Sequence, residues 1–153
     1  MNKYKNILIL LSLILLSNCG YKATNNFVIN DFSIDKIVIN GDKKIGYLIK
    51  SEILSSSKEN MVRRINIKID SNSKKTVKEK NISNKILKYE LTIFSNITVE
   101  YLSTKVKVVK SYVKSADIFS VGSYSDTLTE ESKKIENLSE KIAEDIIHFL
   151  RKN

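Results

Sequence analysis

The chain has 153 residues, with 26 Lys or Arg against 17 Asp or Glu and a formal net charge of +9. That length bounds one domain with a modest single core, and a single cysteine excludes an internal disulfide. One histidine and four scattered glycines, Gly20, Gly41, Gly46 and Gly122, leave no glycine-rich phosphate loop and no histidine metal cluster. Residues 58–114 carry fourteen basic and five acidic side chains, whereas 126–153 carry five and seven. The basic character therefore belongs to the middle of the chain and suits an anionic partner.

Lys3 and Lys5 precede Ile7 to Leu16, an apolar run broken only by Ser12. This has the charged start and short apolar centre of an export signal, and it is too short to span a bilayer as a helix. The run ends in Leu16-Ser17-Asn18-Cys19, at the only cysteine. It resembles a bacterial lipoprotein box, with Asn18 standing where Gly, Ala or Ser is usual. That resemblance implies cleavage after residue 18 and a covalent lipid (diacylglyceryl, then a further acyl chain such as palmitate) on Cys19. Two or three acyl chains hold a soluble domain firmly to a membrane, at roughly 0.8 kcal/mol per buried methylene. Gly20 at the position after the cysteine, rather than Asp, leans towards the outer membrane. An exported, anchored chain meets little nucleic acid, so lipid phosphate or protein is the expected partner.

Residues 1–18 thus read as signal, 19–30 as an extended lipidated leader, and 31–153 as one domain. A first strand is expected around Lys36 to Asn40, with Ile37 and Ile39 on one face. Asp42 is placed to cap a helix from Lys43 to Ser55, in which Ile45, Leu48, Ile49 and Ile53 form one stripe. Ile65, Ile67 and Ile69 alternate with polar residues as a half-buried strand. Ser71 to Asn84 is polar and lysine-rich, which predicts a long hairpin connection or a frayed strand extension. From Leu87 to Tyr101 the apolar residues keep one parity, the pattern of one long strand. Ser103-Thr104 turns the chain, and Lys105 to Val113 returns. Val106 and Val108 there oppose the parity of Val109 and Val113, so a bulge near Val108-Val109 is expected. It would set Lys107, Lys110 and Lys114 on the outer face. Ser115 to Ser125 reads as a loop, and Thr127-Leu128-Thr129-Glu130 has capping-box spacing. The helix that follows aligns Ile135, Leu138, Ile142, Ile146, Phe149 and Leu150.

These elements predict an α+β fold: a four-stranded, largely antiparallel or mixed sheet with two helices packed on one face. The other face would be left basic, with Arg64, Lys68, Lys88, Lys110 and Lys114. No catalytic constellation assembles. His148 has no partners nearby in sequence, and Glu130 and Glu131 suit a helix N-terminus. The expectation is a non-enzyme without a dissociable cofactor.

The motifs carry one wider resemblance. Cys19-Gly20-Tyr21, then Tyr89-Glu90-Leu91-Thr92-Ile93 with Asn96-Ile97-Thr98-Val99, then Lys107-Val108-Val109-Lys110-Ser111-Tyr112 and the terminal helix, are similar to the LPS-assembly lipoprotein family, LptE. The family's pattern implies a plug inside the outer-membrane β-barrel LptD, assisting barrel assembly and LPS delivery to the outer leaflet. It implies a chain held at the outer membrane by its lipid, on the periplasmic side and in the barrel lumen. The family's basic LPS contacts fall near Ile82, beside Lys80 and Lys85, and near Gly122, where no Lys stands. Lys80, Lys85, Lys110 and Lys114 are the expected LPS-binding residues. The alternative is a periplasmic accessory lipoprotein of another envelope or transporter complex, using its sheet edge as a protein interface.

Overall fold

The computed structural model describes residues 31–120 and 123–152. Strand β1 (Ser33–Gly41) leads to helix α1 (Lys43–Ser56), followed by β2 (Arg64–Lys80), β3 (Ile86–Tyr101), β4 (Lys107–Phe119) and helix α2 (Tyr124–Lys152). The sheet order is β1-β2-β3-β4, with β1 parallel to β2 and the other two pairs antiparallel. This is the α+β arrangement that the periodicities predict. The leader and the signal lie outside the described residues.

The β1–α1 junction is set by two local devices. The Asp42 carboxylate accepts from the backbone N–H groups of Lys44 and Ile45, at 3.0 and 3.2 Å, as an N-cap does. Gly41 has φ of +72°, and a β-carbon there would collide with the carbonyl oxygen of Ser71. The chain can therefore turn off the sheet here while Asp42 donates its N–H to that same carbonyl at 2.6 Å.

One face of the sheet is buried. Ile65, Ile67 and Ile69 of β2, Leu91, Ile93, Ile97 and Val99 of β3, and Ile118 of β4 pack against Ile45, Ile49 and Ile53 of α1. Leu138, Ile142, Ala143, Ile146 and Leu150 of α2 close the same core. Burial of a branched side chain contributes about 1.5–3 kcal/mol, so this layer is the main source of stability.

Of the two readings of Ser71 to Asn84 the strand extension holds: β2 continues, paired with β3, as far as Lys80 opposite Ile86, with register shifts on either side of Glu79, and three other local expectations are corrected. The turn is confined to Asn81–Lys85, where the Asn81 side chain accepts from the N–H of Ser83 and of Lys85 at 3.0 and 2.9 Å. Strand β4 runs against β3 from Lys107 to Phe119 without a register shift, so there is no bulge at Val108-Val109. It also takes in Ser115 to Phe119, which had read as loop. Helix α2 begins one turn earlier than the Thr127 box. Ser123 and Asp126 close the reciprocal cap, with Ser123 N–H donating to the Asp126 carboxylate at 3.0 Å and Asp126 N–H to Ser123 Oγ at 3.2 Å.

Candidate functional site: the hairpin end and the open sheet face

Past Ser71 the β2–β3 hairpin loses its β1 neighbour, because β1 ends at Gly41 opposite Ser71. The hairpin therefore extends beyond α1, accompanied by β4 on one side and by the start of α2 beneath. Lys75, Lys85, Tyr89, Ser120, Ser123, Tyr124, Thr127 and Leu128 line a cavity of about 240 Å³ there. Lys75 stands over the Tyr89 ring, 4.4 Å from its centroid, and pairs with Glu131 of α2. Lys85 has no carboxylate partner among the described residues, and neither has Lys80 at the end of β2.

The same end exposes large apolar side chains: Val77, Ile82, Leu87, Phe119, Tyr124 and Leu128. Ile82 at the turn is fully exposed, 106% against its reference state. Free cations beside exposed apolar groups match an amphiphile that offers both acyl chains and acidic headgroups. This is where the structure places Lys80 and Lys85, close to each other across the Asn81 turn.

Lys110 and Lys114 lie elsewhere. With no bulge, both share the parity of Tyr112, Ala116 and Ile118, which faces the helices. Lys114 pairs with Asp145 of α2 at 2.7 Å, and the Lys110 ammonium stands 5.4 Å from the Phe149 ring centroid. The expectation that they sit on the outer face is therefore overturned. Strand β4 lies at the margin of the α2 stripe, where a long aliphatic stem can cover the core while its charge reaches an acid at the rim. Tyr112 between them is raised in pKa by burial, with Asp145 adding to the effect.

The open face is also less basic than its lysine count implies. Arg64 pairs with Asp35, Lys78 with Glu90 at 2.6 Å, Lys88 with Asp117 at 2.6 Å, and Lys107 with Glu100 at 3.3 Å. The hydrogen bond from Lys88 holds the Asp117 carboxyl below its usual range. Asn66 first, then Lys107, does the same for Glu100. Lys36, Lys68 and Lys74 on this face remain without a carboxylate partner among the described residues. The centre of this face carries Phe94 opposite Val113 and Val109 opposite Thr98, all three hydrophobic side chains exposed. The sequence reading missed this apolar strip because it assigned Val109 and Val113 to the core.

His148 is exposed on α2. Among the described residues no group of three His, Cys, Asp or Glu is placed to hold a metal ion. No described helix is long and apolar enough to cross a membrane.

No protein-family model matches the sequence, and no curated protein matches it. Solved structures do match in fold. The rare lipoprotein B of Shewanella oneidensis superposes with a TM-score of 0.57 at 10% identity, covering 76% of this chain and 93% of that one. A putative lipoprotein of Caulobacter crescentus CB15 gives 0.57 at 14% identity, over 78% and 88%. An uncharacterized lipoprotein B of Nitrosomonas europaea gives 0.56 at 10% identity, over 80% and 86%. At these identities the likeness is one of fold.

Proposed function

We propose that the chain is a lipid-anchored outer-membrane protein of the LPS-assembly type, the plug partner of an LptD-like β-barrel, which assists barrel assembly and delivery of LPS. The observation that carries this reading is the agreement between two independent features. One is the signal that ends at Cys19. The other is a domain fold shared, over nearly the whole of their length, with structures that are named as lipoproteins. The domain then comprises residues 31–153, with residues 19–30 as the leader to the lipid. In this reading the chain is a non-enzyme, and the hairpin end serves as its binding surface.

In this reading Lys80 and Lys85, with Ile82, Leu87 and Tyr124 around them, meet the phosphates and the apolar base of LPS through charge-assisted contacts. Lys110 and Lys114 act as supports for α2 instead. The test is affinity purification from detergent-solubilised outer membranes with a tag after Asn153. Recovery of a large β-barrel protein in near-equal amount is the expected result. Recovery alone, or with inner-membrane transporter subunits, would favour the accessory-lipoprotein reading.

A further inference from the structure

Opposite the hairpin tip, three separate stretches of chain converge on the end where the domain begins. Ser33 N–H donates to the Arg63 carbonyl at 2.9 Å and Lys58 N–H to the Phe32 carbonyl at 3.0 Å, so the α1–β2 loop packs beside the chain entry. Leu102 N–H donates to the Arg64 carbonyl at 3.0 Å, which brings in the β3–β4 turn. The Arg63 guanidinium donates to the Leu150 carbonyl, which brings in the last turn of α2. Asp31, Asp35 and Glu100 take up Lys58, Arg64 and Lys107. Lys105, Arg151 and Lys152 stay exposed, without a carboxylate partner among the described residues. Val62, next to Arg63, is 99% exposed, and Val106, between Lys105 and Lys107, is 51% exposed. One exposed valine is ordinary. Two at one end, with unneutralised cations about them, match a surface whose acidic headgroups overlie acyl chains.

We propose that this end is a membrane-facing base: Val62 and Val106 enter the headgroup layer of an anionic phospholipid leaflet, and Lys105, Arg151 and Lys152 meet its phosphates. The inference rests on the lipid-anchored reading and adds to it how the domain stands on the leaflet. The choice of a bilayer follows from where the chain enters as well as from charge. Residues 19–30 can span at most about 40 Å, so a lipid on Cys19 keeps the entry end within that distance of its leaflet. The tether makes contact with the surface effectively intramolecular. Basic residues near an acidic leaflet then add their attraction to the apolar contact, and the domain takes one orientation instead of tumbling on its leader. In the plug reading the tether leaves the barrel at its periplasmic rim, level with the same headgroups, so base and plug are compatible.

Fluorescence quenching on vesicles tests it. The mature chain is labelled with a fluorophore at position 62, through Val62→Cys, or at the equally exposed position 82 of the hairpin tip, through Ile82→Cys. The vesicles are phosphatidylglycerol with phosphatidylcholine and carry a quencher on a fraction of the headgroups. Quenching at position 62 is expected to exceed that at position 82 several-fold. Lys105→Glu with Arg151→Glu and Lys152→Glu should bring it down to the level at position 82, as should vesicles of phosphatidylcholine alone. All the substituted positions are exposed, and unchanged circular dichroism confirms that the fold survives. Equal quenching at the two positions on anionic vesicles, or a signal at position 62 that the triple variant leaves unchanged, would overturn the proposal. Intact mass reads the lipid separately. A lipidated chain with equal quenching sinks the base and leaves the anchor; a chain without lipid sinks the anchor, and the same comparison still decides the base.

Discussion

Ser71 and Ser95 share a hydrogen bond of 2.9 Å, and both are completely buried. They face each other in the row where the inner layer would otherwise continue with isoleucine, at the level where β1 ends. Removing one hydroxyl strands the other in a dry site, which costs about 1–3 kcal/mol. Ser71→Ala and Ser95→Ala should each lower the denaturation midpoint, while the double variant should fall well short of their sum. Chemical denaturation of the four proteins measures the coupling.

Gly41 stands at the hinge between β1 and α1, in a conformation that side-chain-bearing residues avoid, with the Ser71 carbonyl against it. Gly41→Ala should destabilise by more than about 1 kcal/mol. Gly46 meets Ile39 just as closely on the first turn of α1. The Gly46→Ala change should therefore also destabilise, and Ile39→Ala should relieve part of the Gly46→Ala penalty alone. Melting temperatures of the single and paired variants check both statements.

Acid should weaken the fold from the outer face and from the start of α2. Asp117, Glu100 and Asp126 all have pKa values lowered from their ordinary 3.8, 4.5 and 3.8, the first by Lys88, the second by Asn66 and Lys107, the third by the Ser123 N–H. A lowered folded-state pKa contributes stability above the unfolded value and loses it as pH falls through the folded one. The denaturation midpoint should hold steady above about pH 5 and decline below about pH 4. Asp126→Asn should flatten part of that decline. Lys88→Met should return the Asp117 carboxyl towards 3.8, which a carboxylate NMR titration would read.

LPS binding should separate the two pairs of lysines. Lys80→Glu with Lys85→Glu is expected to weaken binding several-fold, with the difference shrinking at high salt. Lys110→Ala with Lys114→Ala should leave binding nearly unchanged and instead lower stability, because the Lys114–Asp145 ion pair and the Lys110 contact with the Phe149 ring are lost. Equal losses of binding from the two double variants would count against the hairpin end as the contact.

Much of this fold is legible from parity and stripe alone, because Ile65 to Ile69 and Leu91 to Val99 each have one dry and one wet side. Two places were opaque for physical reasons. From Asn72 to Lys80 nearly every side chain is polar on both faces, so side-chain alternation is silent; main-chain hydrogen bonding to β3 makes the strand. In the middle of β4, Val109 and Val113 mark the outside and Lys110 and Lys114 the inside. The margin of a core is satisfied by an aliphatic stem with an acid in reach, and sequence periodicity does not register Asp145 thirty-one residues away. Two adjacent capping patterns, Ser123…Asp126 and Thr127…Glu130, likewise compete, and only the geometry selects the first. Of the candidate site, Lys80 and Lys85 were visible; the apolar surroundings contributed by Phe119, Tyr124 and Leu128 required the chain to be folded.

The parallel pairing of β1 with β2 fixes where the domain begins relative to where the hairpin ends. Ser33 lies opposite Arg64, and β2 then runs to Lys80 before it turns. At about 3.3 Å per residue, the turn stands roughly 50 Å from the level at which the chain enters. A tether at the entry would act as the fixed support of a cantilever, with Ile82 at its free tip. In the lipid-anchored reading proposed above, the tip works well away from the membrane surface, and shortening β2 and β3 by matched pairs of residues would draw in its reach by a known amount without disturbing the core.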